Sequence, residues 1–109
     1  MSDYRELIQM AAKAIGYQVI DWYGDKFPTH DGEKLIGWNP LSDDGDSRRL
    51  QIALGMNLYI TNKYALAELI SDSEEPAITR KEYCTEETKG AAARKAVVRV
   101  AAEIGRQMK

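Results

Sequence analysis

The chain has 109 residues, of which 44% are hydrophobic and 29% charged, and its formal net charge is −2. A disordered chain carries more net charge and fewer apolar residues, so this composition predicts one folded domain with a single core. No apolar run approaches the ~18 residues of a membrane-spanning helix, and the charged N-terminus lacks the apolar stretch of a secretory signal. We therefore expect neither membrane association nor export.

The cysteine content and the distribution of charge add two expectations. Cys84 is the single cysteine, so no intrachain disulfide or cysteine-based zinc site is expected, and a reducing cytoplasm is the predicted compartment. Residues 89–109 carry six lysines and arginines against Glu103, a net charge of +5, which leaves −7 on residues 1–88. The sequence thus predicts an acidic body and a basic last helix.

The first half of the chain predicts a helix and then two strands. Residues 3–15 have apolar side chains at helical spacing. Residues 17–23 are rich in aromatic and β-branched side chains and predict a strand. Residues 26–33 contain Pro28 and predict a loop or wide hairpin connection. Residues 34–38 predict the second strand.

The second half begins with a well-marked helix. Ser42 is the predicted N-cap, three aspartates follow in the first turn, and Gly55 is the predicted exit. Strands are predicted at residues 57–61, 64–70 and 77–83, although the alanines and leucines of the middle segment also favour a helix. A long amphipathic helix is predicted from Thr85 to about residue 107.

These elements predict the fold class. Residues 1–109 are expected to form a single α+β domain of order αββαβββα. Its sheet is mostly antiparallel, and its helices pack on one face of that sheet.

The acidic run at residues 43–46 raises the question of a metal site, since calcium and magnesium prefer converging carboxylates. A helix-loop-helix calcium loop that begins at Asp43 requires glutamate at its twelfth position, where this sequence has Leu54. Helix capping accounts for the aspartates better. We therefore expect no metal and no cofactor.

No catalytic arrangement is recognisable in the sequence. His30 is a potential base, but neither Cys84 nor a serine lies in a nucleophile motif. The glycines match neither P-loop nor dinucleotide-binding spacing. The sequence therefore predicts a protein that is not an enzyme.

Two sets of residues are candidates for binding. Tyrosine and tryptophan are frequent interface anchors, although in a small domain most of them are expected in the core. The candidate partner-binding residues are Trp38, Asn39, Asp43, Asp44, Asp46, Tyr59 and Tyr64. The alternative is nucleic-acid binding by the basic face of the last helix, which the acidic body disfavours. Its candidate residues are Arg94, Lys95, Arg99 and Arg106.

The runs GWNPLSDDGDSRRL at residues 37–50 and AVVRVAAEIG at residues 96–105 resemble a group of small uncharacterised proteins of tailed bacteriophages and prophages. Members of that group begin with a similar short helix, whereas residues 63–84 resemble nothing in it. The helix that follows the Asn-Pro-Leu run is richer in alanine and leucine in the group than residues 47–49 are here. The resemblance implies a bacterial host cytoplasm and no assigned reaction.

Together these observations predict a small phage or prophage accessory protein without enzymatic activity. Its expected partner is a host or phage protein or, in a homodimer, a second copy of the chain. Nucleic-acid binding is the alternative function, and no membrane is expected to be involved.

Overall fold

Three helices and two antiparallel sheets alternate along residues 3–70 and 77–108, the part of the chain that this computed structural model describes. The helices are α1 (Asp3–Ala14), α2 (Asp44–Leu54) and α3 (Lys89–Gln107). The first sheet has the strand order β1 (Gln18–Val19), β2 (Phe27–His30) and β3 (Leu35–Trp38). The second sheet has the order β4 (Asn57–Ile60), β5 (Tyr64–Leu69) and β6 (Ile78–Tyr83).

The predicted α+β class and the order αββαβββα are confirmed, with β2 as one strand more than the sequence indicated. Every strand pair in the described residues is antiparallel. The strands form two sheets of three strands instead of one sheet. Helix α3 packs on the second sheet, and α1 and α2 both pack against α3.

Strand β2 lies where the sequence predicts a loop or wide hairpin connection. Pro28 favours a loop because proline has no backbone N–H to donate. In the sheet, the Pro28 carbonyl accepts the Ile20 N–H at 2.8 Å, so the nitrogen of Pro28 also faces the β1 side. The reciprocal bond is impossible, and β1 therefore ends at Val19 instead of reaching residue 23. The missing donor does not face β3, so the β2–β3 ladder continues through Pro28.

Both later helices begin further along the chain than the sequence predicts. A turn closed on the Asn39 carbonyl precedes α2 and makes Asp43, not Ser42, its N-cap. A turn closed by the bond from the Thr88 N–H to the Thr85 carbonyl, 3.1 Å, precedes α3. In each case a short turn occupies the segment where the sequence predicts the start of the helix.

The ambiguous segment at residues 64–70 contains strand β5. Ala65 and Ala67 are fully buried on the face that α3 covers, while Tyr64 and Leu66 project from the other face, as alternation in a strand requires. Pairing with β4 and β6 on both sides outweighs the helix propensity of the alanines and leucines, which is a weak preference.

Helix α3 is the central element of the core. Its buried face consists of small side chains, which let α1, α2 and the second sheet approach it closely. These buried residues are Ala92, Ala93, Ala96, Val97, Val98, Val100, Ala101, Ala102 and Gly105. No helix in the described ranges combines the length and the apolarity that a membrane crossing requires.

Helices α1 and α3 come into backbone contact at Gly105. A Cβ atom built on Gly105 would lie 1.9 Å from the Met10 carbonyl oxygen and 2.7 Å from the Met10 carbonyl carbon. Because the obstructing atoms belong to the backbone, they cannot move without separating the two helices. The contact therefore requires glycine at this position.

We expect Gly105→Ala to lower the free energy of unfolding by about 3 kcal/mol, because the added methyl group forces the helices apart. Urea denaturation followed by circular dichroism measures this loss. Gly90→Ala is the matched control in the same helix, since its Cβ would meet only the end of the Arg94 side chain at 3.6 Å. We expect the control to be neutral or stabilising by up to about 1 kcal/mol. Equal stability of the two variants would contradict the close helix contact.

Candidate protein-binding face

The structure divides the seven candidate partner-binding residues between two places. Five lie where β3 leads into α2, and two lie on the second sheet. Three of the first five are buried, namely Trp38, Asn39 and Asp46. The two at the surface of that junction are Asp43 and Asp44. The seven residues therefore do not form one surface, and the buried three stabilise the fold.

Asp46 is the polar centre of the β3–α2 junction. Its side chain is 3% exposed, and its Oδ2 accepts the Asn39 N–H at 2.9 Å. The same oxygen lies 2.9 Å from Lys26 Nζ, and Oδ1 lies 2.6 Å from a guanidinium nitrogen of Arg49. A buried carboxylate is costly unless it is paired in this way. The residue thus joins the end of β3, the start of α2 and the residue that precedes β2.

Asn39 and Asp43 complete the junction. Asn39 accepts the Leu41 N–H at 3.1 Å and donates to the Asp25 carbonyl at 2.8 Å. The Asp43 carboxylate caps α2 by accepting the Gly45 N–H at 2.7 Å and receives a bond from Lys26 at 2.7 Å. The Lys26 ammonium and the backbone amides of the cap hold the pKa of Asp43 below its ordinary value of 3.8. The aspartates are therefore used for capping and ion pairing.

Among the residues that the structure describes, no element covers one face of the second sheet, which we call the open face. It lies opposite Ala65 and Ala67, the alanines that pack against α3. Strand alternation and register place Tyr59, Leu66 and Lys81 in one row across the three strands, and Tyr64 beside Tyr83 in the next. Tyr59 is 50% exposed and Tyr83 is 80% exposed. A shallow depression lined in part by Tyr59, Tyr64 and Leu66 crosses this face.

Two groups of opposite charge, Glu68 and Lys81, lie on the open face. Glu68 accepts bonds from the Tyr59 hydroxyl at 3.2 Å and from Asn57 Nδ2 at 3.4 Å. The hydrogen bond to this carboxylate raises the pKa of the Tyr59 phenol above its ordinary value. The Lys81 ammonium lies 4.6 Å from the ring centre of Tyr64, within the range of a cation–π contact. The face thus carries an anionic group and a cationic group close together.

The sequence predicts Tyr59 and Tyr64 as binding residues but does not indicate the other residues of the open face. Leu66 and Glu68 share this face with Tyr64 by alternation along β5, and the pairing of β5 with β6 adds Lys81 and Tyr83. Alternation within residues 77–83 was the available signal, since it puts Lys81 and Tyr83 on one side of the strand. The register that sets them against Tyr64 depends on the tertiary fold.

The basic residues of α3 bind carboxylates of the rest of the chain. Arg94 contacts Asp44 at 2.6 Å and the Leu41 carbonyl at 2.9 Å. Arg106 contacts Glu6 and Glu103, each at 3.5 Å. The other two candidate nucleic-acid residues, Lys95 and Arg99, both pair with Glu82. The positive charge of α3 is thus largely paired with negative charge of residues 1–88 in the same molecule.

The residues considered for catalysis lie in different parts of the fold. His30 accepts the Gly32 N–H at 3.1 Å in the β2–β3 turn, and Cys84 follows β6 with its sulfur 3.7 Å from the Thr61 carbonyl oxygen. Within residues 3–70 and 77–108, no three His, Cys, Asp or Glu side chains converge as a metal site would require.

Comparison of this chain with protein-family models, with curated proteins and with solved structures found no match.

We expect Asp46→Asn to lower the free energy of unfolding by about 2–3 kcal/mol, because the amide loses the charge-assisted bonds to Lys26 and Arg49. Chemical denaturation measures the loss. Asp44→Asn is the control, since the Asp44 side chain is 85% exposed and a surface ion pair contributes below about 1 kcal/mol. A similar cost for both variants would contradict the structural role of Asp46.

The lowered pKa of Asp43 predicts a specific pH dependence of stability. A carboxyl whose pKa is depressed on folding stabilises the fold above its unfolded pKa and loses that contribution as the pH falls through the folded pKa. We expect wild type to exceed Asp43→Asn in stability by a constant amount above about pH 5, and the gap to close below the ordinary value of 3.8. Asparagine keeps the cap acceptor, so the comparison isolates the charge. Urea denaturation across a pH series measures the gap, and an undiminished gap at the acid end would contradict the prediction.

Proposed function

We propose that this protein is a non-enzymatic protein-binding module that associates with a second copy of itself through the open face. The observation that supports this most is the cluster of Tyr59, Tyr64 and Tyr83 around Leu66 on an uncovered sheet surface. Tyrosines dominate interface energetics because they bury a large area at a small cost in side-chain entropy. An exposed apolar and aromatic patch rimmed by polar groups is typical of an interaction site.

Charge complementarity favours a second copy as the partner. Glu68 and Lys81 lie on the same face, in neighbouring strands and neighbouring rows. Consider a two-fold axis in the interface plane that passes midway between these two groups, perpendicular to the line that joins them. Rotation about this axis brings each Glu68 over Lys81 of the other copy. A two-fold interface requires a surface that complements itself in this way. The pairs would set the register, while the tyrosines and Leu66 would supply the buried area.

The resemblance to small phage and prophage proteins is consistent with such a role and gives the proposed setting, a bacterial host during infection or lysogeny. The GWNPL part of that resemblance falls largely on buried and capping residues, Trp38, Asn39 and Asp43 among them. A likeness at such residues supports a shared fold more than a shared binding surface. A host protein bound to the same open face remains the competing partner that the experiments below distinguish.

We expect the molar mass of the wild type, measured by sedimentation between about 1 and about 500 μM, to rise toward that of a dimer. Tyr59→Ala combined with Tyr83→Ala is expected to remain a monomer at every concentration, because the interface loses two aromatic anchors. Tyr23→Ala is the control, since Tyr23 is 65% exposed but lies outside the second sheet. A wild type that stays monomeric at the highest concentration, or a double variant that dimerises equally well, would contradict self-association.

Charge exchange separates a second copy from a foreign partner. Glu68→Lys alone and Lys81→Glu alone should each weaken dimerisation at least about tenfold through like-charge contacts. A mixture of the two single variants should form a heterodimer, and the doubly exchanged chain should dimerise again. A foreign partner cannot produce this rescue, so failure of both rescues would overturn the two-fold arrangement.

A further inference from the structure

A second surface, separate from the open face, lies along α3. It is a groove of about 460 Å³ between α1, α3, the segment before α2, and the inward side of β6. Glu82 lines it, and Glu82 projects from β6 opposite Lys81 and Tyr83 of the open face. We call it the α1–α3 groove. Its volume falls in the range of sites that enclose small molecules.

One side of the α1–α3 groove is cationic. Lys95, Arg99 and Arg106 line it together with a single carboxylate, that of Glu82. The Glu82 side chain is 15% exposed and pairs with Arg99 and Lys95, whose side chains are 38% and 57% exposed. The carboxylate thus lies beneath two cations that face the solvent. One negative charge against two positive charges leaves this end of the groove positive.

Arg106 adds a third cation along the same line of α3. Its guanidinium contacts Glu6 and Glu103 at 3.5 Å each, which is longer than a strong charge-assisted bond of about 2.8 Å. The guanidinium is therefore held loosely and can turn to a better acceptor. Positions 95, 99 and 106 lie within about 40° of each other around a helix, so the three cations share one face.

The other side of the α1–α3 groove is apolar. Tyr4 and Leu7 of α1 line it with Leu41. Tyr4 is 44% exposed, and Leu7 and Leu41 are partly buried against the core. An apolar wall that faces a row of cations can take a molecule with a hydrocarbon or aromatic body and an anionic end, because burial of the body and pairing of the charge are then satisfied together.

We propose that the α1–α3 groove binds an amphipathic anion, with its carboxylate or phosphate end at Lys95 and Arg99 and its apolar body against Tyr4 and Leu7. Carboxylate and phosphate share the chemistry that a guanidinium recognises through paired hydrogen bonds. The proposal is independent of self-association, because the groove and the open face use opposite sides of β6.

Calorimetric titration of the full chain with octanoate, octyl phosphate and octanol tests the proposal. We expect both anions to bind with an affinity that decreases from about 50 to about 500 mM salt, and octanol to bind at least about tenfold more weakly than the better anion. The tighter of the two anions identifies the preferred head group. Absence of binding by both anions at about 10 mM, or equal binding of octanol, overturns the proposal.

Variants locate the site. Arg99→Gln and Lys95→Gln are each expected to weaken binding of the better anion at least about tenfold, whereas Lys34→Gln, an exposed cation in the β2–β3 turn, leaves the affinity unchanged. Thermal unfolding checks that each variant folds, since Arg99 also pairs with Glu82. Tyr4→Ala keeps all of these cations and should weaken binding of octanoate more than binding of acetate. If all the groove variants bind like wild type, the α1–α3 groove is not the site.

Discussion

The fold depends on the broad buried face of α3, which consists of small residues. Alanines, valines and Gly105 cover this face, which lets α1 touch the α3 backbone at Met10 while the second sheet packs through Ala65 and Ala67. Close approach of this kind excludes water and gives dense packing with few large side chains. Because α3 contacts α1, α2 and the second sheet, a substitution in its buried face would disturb the packing of all three elements.

Ion pairs and hydrogen bonds of charged groups supplement this core in two places. At the β3–α2 junction, the buried carboxylate of Asp46 joins backbone and side-chain donors from three segments. Around α3, cations reach carboxylates on α1, α2 and β6. The uneven charge along the chain, +5 in residues 89–109 and −7 before them, therefore stabilises the contact of α3 with the rest of the domain. Exposed pairs contribute little one by one, so their main effect is to orient the elements.

Strand β6 connects the two proposed binding surfaces. Its alternate residues Lys81 and Tyr83 lie on the open face, and Glu82 lies in the α1–α3 groove. The open face carries both signs of charge and aromatic rings, which suits a copy of itself. The groove carries excess positive charge beside an apolar wall, which suits a smaller anionic molecule. One strand can serve both because its side chains alternate between two environments.

The sequence by itself determined the elements with strong local signals. The helical spacing of residues 3–15, the glycine end of α2 at Gly55 and the amphipathic pattern of α3 all recur in the structure, because apolar periodicity and capping act within a few residues. The α+β class follows from these patterns. Only the tertiary structure decided that residues 27–30 form a strand, that residues 64–69 are extended and that Trp38, Asn39 and Asp46 are buried. It also decided which residues meet Tyr59 and Tyr64, and which carboxylates meet the cations of α3. The physical reason is that burial, strand register and ion pairing depend on partners far away along the chain, and these long-range contacts outweigh the local preference of any single segment.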